Sequence, residues 1–92
     1  MTRVHLVIHG RVQGVYYRAT TQEVAQGLTL DGWVRNRSNG TVELVAEGPP
    51  DRVQKLVEWC NQGPTLARVD RIDRFASEPI GLDGGFHVRP TL

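Results

Sequence analysis

The chain has 92 residues, room for one domain and too few for two, and its 39% hydrophobic and 23% charged residues are the balance of a globular protein. A formal net charge of +1 supplies no global basic field, so neither nucleic acid nor a membrane is an expected partner, and any anion site should be local. No apolar run approaches membrane-spanning length, no signal-peptide core follows Met1, and the single cysteine, Cys60, excludes an internal disulfide and suits a cytoplasmic protein.

Val4, Leu6 and Ile8 alternate with His5, Val7 and His9, the period of a strand with one apolar face. The stretch Gly10-Arg11-Val12-Gln13-Gly14-Val15-Tyr16-Tyr17-Arg18 follows. After it, Tyr17, Thr21, Val24, Ala25 and Leu28 recur at helical spacing, which predicts a helix over 19–28. Two glycines therefore bracket a tight strand-to-helix crossover, with Arg18 at the helix entrance. Successive backbone N–H groups in such a turn can converge on an anion, and the open N–H groups of the next helix add to the same field. A guanidinium there matches phosphate geometry. The alternative is a structural turn with a surface arginine, and spacing alone does not separate the two. Neither GxxxxGK[ST] nor GxGxxG fits these residues.

The helix should end within 27–32. Gly32 to Arg37 reads as a short strand, Ser38-Asn39-Gly40 as a hairpin turn, and Thr41 to Glu47 as the return strand. Val42, Leu44 and Ala46 share one face of that strand, with Glu43 and Glu47 on the other. Gly48-Pro49-Pro50-Asp51 opens a second helix with the apolar stripe Val53, Leu56, Val57 and Cys60, which Gly63-Pro64 stops. Residues 67–75 are loosely patterned, with Val69, Ile72 and Phe75 three apart, as in a twisted or bulged edge strand. A loop over 77–85 precedes a last strand, Phe86 to Arg89, with Phe86 and Val88 inward. The order predicts an α+β, ferredoxin-like split βαβ domain over 1–92 (βαββαβ), with two helices on one face of a mainly antiparallel sheet.

Several residues invite chemical readings. A Cys-x5-Arg phosphatase loop would need arginine at 66, which is Leu66, and Cys60 lies on the apolar stripe, so it is read as core. His5 and His9 share a sheet face with His87 within conceivable reach, but no acid or thiol sits at a supporting spacing. No metal and no cofactor are expected. Trp33 and Trp59 read as packing residues, and Arg68, Asp70, Arg71, Asp73 and Arg74 as a charged edge. Asn36, just before the hairpin, is explained by turn chemistry alone. In a split βαβ sheet, however, it can also lie near the loop after the first strand, where its amide could bond a water or ligand oxygen.

Together, the 10–18 stretch and Gly32-Trp33-Val34-Arg35-Asn36, continuing through Gly40, Val42 and Glu43, resemble the two signature motifs of the acylphosphatase family. Gly63-Pro64, Ala67-Arg68-Val69 and Phe86 extend the resemblance over almost the whole chain. It implies hydrolysis of the carboxyl–phosphate anhydride of small acyl phosphates by a monomeric enzyme. Arg18 then looks like the phosphate-binding arginine and Asn36 like the residue that orients the attacking water. The amides of Gly14, Val15, Tyr16 and Tyr17 would hold the remaining phosphate oxygens. Tyr17 stands where phenylalanine is common, and Thr29 where a helix-ending glycine is common.

So sparse a site suits this reaction. The leaving carboxylate has a conjugate acid of pKa about 4, judging from side-chain carboxyls, and departs without a general acid. A loose phosphoryl-transfer transition state asks mainly for positioning and charge stabilisation. Two other classes compete. An RNA-binding module would need aromatics on the open sheet face, and 41–47 has none. A non-catalytic anion-binding domain of the same fold would be separated by an activity assay.

Overall fold

The computed structural model describes residues 1–92. Its elements are β1 (Thr2–Arg11), α1 (Tyr17–Gly27), β2 (Asp31–Asn36), β3 (Val42–Gly48), α2 (Pro50–Gln62), β4 (Arg68–Phe75) and β5 (Phe86–Val88). They form one five-stranded sheet in the order β4-β1-β3-β2-β5. Every pairing is antiparallel except β2 with β5. The split βαβ, ferredoxin-like arrangement expected from the order of elements is the observed one.

The apolar alternation sets the faces. Val4, Leu6 and Ile8 of β1, Val34 of β2 and Val42, Leu44 and Ala46 of β3 are all fully buried on the side covered by the helices. Ala25 of α1 and Val53, Leu56 and Cys60 of α2 close the same core from above, joined by Phe86 of β5. Val88, expected inward, is 39% exposed, because β5 is an edge with no strand beyond it.

Two strand details depart from the expected pattern. On β4, Gly10 pairs with Val69 and His9 with Arg71, so Asp70 is an extra residue and the strand bulges. The bulge puts Val69 and Ile72 on the core side, three residues apart, and sends Phe75 to the opposite face, where its ring lies 5.2 Å from His5. The hairpin is not a two-residue Asn-Gly turn. Gly40 N–H bonds Arg37 O, Gly40 alone takes a positive φ of 92°, and Asn39 Oδ1 accepts from Thr41 N and Oγ1.

The face away from the helices is more enclosed than its sequence suggests. Glu43 and Glu47 are both buried rather than solvated. Glu47 accepts from Arg3 Nη1 at 2.7 Å and from the N–H groups of Ile80, Gly81 and Leu82 at 2.9 to 3.0 Å, clasping the 76–85 loop to the sheet. Burial opposes ionisation there, but the Ile80 amide, Arg3 and the other two amides outweigh it, and the carboxyl is lowered to about 2. Glu43 lies between His5 Nε2 (2.7 Å) and Arg35 Nε (2.8 Å). Trp33 belongs to this face and not to the core: the guanidiniums of Arg35 and Arg89 flank its ring at 4.7 and 4.9 Å.

Candidate active site

The β1–α1 crossover and the end of β2 meet at one edge of the core. A cleft of about 320 Å³ opens there, lined by Val12, Gly14, Tyr16, Tyr17, Arg18, Ala19 and Asn36. Of the residues singled out in the sequence, Gly14, Tyr16, Tyr17, Arg18 and Asn36 are thus brought together. Val15 is the exception: its side chain is buried in the core and does not line the cleft, leaving only its backbone for the site.

The crossover is held open by its backbone. Gly14 has φ 73° and Tyr16 φ 65°, ψ 21°, so the chain turns left-handed at two points before α1 begins. The first turn of α1 has no side-chain cap and no acidic residue. Thr20 N–H is the first of the helix to find a partner, on Tyr16 O, and no protein acceptor takes the N–H groups of residues 14–19. Such a set of open donors is the requirement for an anion cradle.

Tyr17 anchors this loop from beneath. Its ring is 1% exposed and lies 5.5 Å from that of Trp59, and its hydroxyl donates to Cys60 O at 2.6 Å. A side chain at Gly63 would meet that ring at 2.9 Å, which explains the glycine at the end of α2. Tyr17 therefore serves the cleft through its N–H, not its phenol. The extra hydroxyl, relative to the common phenylalanine, has a partner. The Cys60 thiol is pushed up to about 12 by burial, partly offset by its contact with Tyr17, and is no nucleophile.

Arg18 is partly exposed and has no ion-pair partner among the acidic side chains. Asn36 has the parity of Val34, so its amide points toward the helix side, where a core residue would otherwise stand. Its Oδ1 is the one buried side-chain polar atom without a hydrogen-bond partner. The backbone of Asn36 is fixed from both sides, by Val42 of β3 and by Leu92 N–H on Asn36 O at 3.1 Å.

One positioning residue escaped the sequence reading. Gln13 Nε2 donates to Arg37 O at 2.8 Å and to Thr41 O at 2.9 Å, tying the cradle to the hairpin that carries Asn36. Nothing in residue spacing marks that contact, because its acceptors are backbone oxygens. The histidines do not converge. His9 Nε2 faces Asp73 at 2.9 Å, His87 bonds Gly84 O, and no three His, Cys, Asp or Glu side chains are grouped to hold a metal ion. The acids facing His5 and His9 come from neighbouring strands, where the sequence gives no local sign of them.

A ferredoxin-like domain with open amides, an unpaired guanidinium and an orphan amide oxygen around one cleft is of the class that handles small phosphorylated molecules. The family model described as Acylphosphatase matches residues 4–88. The chain belongs to the acylphosphatase family. It is 48% identical to the acylphosphatase of Natronomonas pharaonis, over 95% of this chain and 94% of the relative. With the acylphosphatase of Thermococcus kodakarensis it shares 52% identity, over 89% of this chain and 90% of the relative. The crystal structure of acylphosphatase from Bacillus subtilis superimposes with a TM-score of 0.92 at 35% identity, covering 97% of this chain and 99% of that one.

Proposed function

We propose that the chain hydrolyses acyl phosphates with Arg18 gripping the phosphoryl group and Asn36 orienting the attacking water. The amides of Gly14, Val15, Tyr16 and Tyr17 take the remaining phosphoryl oxygens. The observation that carries this reading is the Asn36 amide, which lines the same cleft as Arg18 and the open N–H groups and whose Oδ1 has no hydrogen-bond partner in the protein. A water held by the Asn36 amide has its oxygen aimed at phosphorus. As the new P–O bond forms, the bond to the carboxyl oxygen breaks and the carboxylate leaves with the electron pair. A phosphoryl oxygen accepts the proton of the water, because a neutral amide is no base. The products are a carboxylate and inorganic phosphate.

The charge spread over the phosphoryl oxygens is met by fixed donors. This chemistry needs neither a general acid nor a metal ion. A single core cluster supports one domain over 1–92. No helix is long and apolar enough to cross a membrane, and the lone buried Cys60 suits a cytoplasmic setting. Purified protein should release inorganic phosphate from benzoyl phosphate at the same rate with and without EDTA. Strict dependence on added Mg²⁺ would overturn the metal-free mechanism, and no release from any acyl phosphate would overturn the function.

A further inference from the structure

Tyr16 is the member of the cradle for which the fold has no use. Its backbone sits at φ 65°, ψ 21°, a region where glycine is at ease and a bulky residue is strained. Burial does not compensate, because the side chain is 75% exposed. The ring pairs with no other aromatic, and its hydroxyl bonds to nothing in the protein. The next residue, Tyr17, is the opposite case, buried and hydrogen-bonded. For stability alone, position 16 calls for glycine.

What Tyr16 does have is a place on the cleft. Val12 and Tyr17 form its buried wall, and Gly14 and Ala19 are exposed but carry little side chain. Tyr16 is the only large exposed hydrophobic side chain in the lining. We infer that the Tyr16 ring is a platform for the acyl group, giving preference to aromatic acyl phosphates over acetyl phosphate. The inference rests on the proposed roles of Arg18 and Asn36. With the phosphoryl group on the amides and the water at the amide of Asn36, in-line displacement sends the carboxylate away from Asn36 and toward solvent. A planar aryl group leaving in that direction can stack on the exposed ring, whereas a methyl group gains little.

The test compares kcat/KM for benzoyl and acetyl phosphate in the wild type, Tyr16→Phe and Tyr16→Gly, with urea midpoints for each. The benzoyl-to-acetyl ratio should fall about tenfold in Tyr16→Gly, the scale of one lost aromatic contact, and stay in Tyr16→Phe. The midpoint of Tyr16→Gly should equal or exceed that of the wild type, since the strain is relieved. An unchanged ratio in Tyr16→Gly overturns the inference whatever its midpoint. Loss of the ratio in Tyr16→Phe would assign the effect to the hydroxyl and overturn the stacking role. A wild type that hydrolyses neither substrate overturns the function itself, whereas hydrolysis of both with an unmoved ratio sinks only the role of Tyr16.

Discussion

A buried amide oxygen left without a partner costs about 1–3 kcal/mol, and Asn36 carries such an atom at a strand position with the parity of Val34. The fold gains nothing from that unpartnered atom, so the residue should matter more to turnover than to folding. Asn36→Ala is expected to lower kcat about a hundredfold with little change in KM and no loss of urea stability. Unaltered kcat would return Asn36 to hairpin chemistry. Arg18→Ala should lose at least about a thousandfold in kcat/KM, and Arg18→Lys should recover only part of it, because an ammonium lacks the planar fork. Thr29 presents the opposite balance. It ends α1 at φ 55°, with its N–H on Gln26 O and Leu30 N–H on Ala25 O, the paired bonds of a helix end that glycine makes without strain. Thr29→Gly should stabilise the fold by about 1 kcal/mol, read as a higher urea midpoint at unchanged activity.

Between elements, the Gln13 side chain is the strut from the β1–α1 crossover to the β2–β3 hairpin. Gln13→Glu, which cannot donate to the two carbonyls, should lower kcat about tenfold by loosening Asn36 against Arg18. The same substitution should move KM little; a rise in KM at constant kcat would place Gln13 in substrate binding instead. This strut also marks how far the sequence could be read. Strand and helix order, the buried faces of β1, β3 and α2, and the edge character of β4 all follow from local period and turn residues. The bulge at Asp70, which reverses the side of Phe75, does not, since it depends on the register with β1. Nor do the buried states of Glu43 and Glu47, whose partners lie on other strands and in the 76–85 loop. Arg18 and Asn36 were legible as residue types in the right motifs. Their sharing of one cleft is a tertiary matter that the split βαβ topology allowed and the family resemblance implied.

For the molecule as a whole, acid should destabilise the fold in part through Glu47. Its carboxyl is lowered from 4.5 to about 2 in the folded protein, so the stability it contributes is complete above about 4.5 and is lost as pH falls from there toward about 2. Glu43, also lowered by His5 and Arg35 against the effect of burial, contributes in the same direction. Urea unfolding at pH 6 and pH 3 should show a marked loss in the wild type. In Glu47→Gln, already weaker by about 3 kcal/mol at pH 6, the loss should be smaller. An equal loss in both proteins would remove Glu47 from the acid response. The strand order has a consequence for how the chain reaches this state. β1 lies between β3 and β4, so the earliest strand to be synthesised waits for the middle of the chain to pair one side and for the last third to pair the other. Until then, Val4, Leu6 and Ile8 are available to any neighbouring polypeptide. Search for such distant partners makes folding slower than that of a helical bundle of the same length.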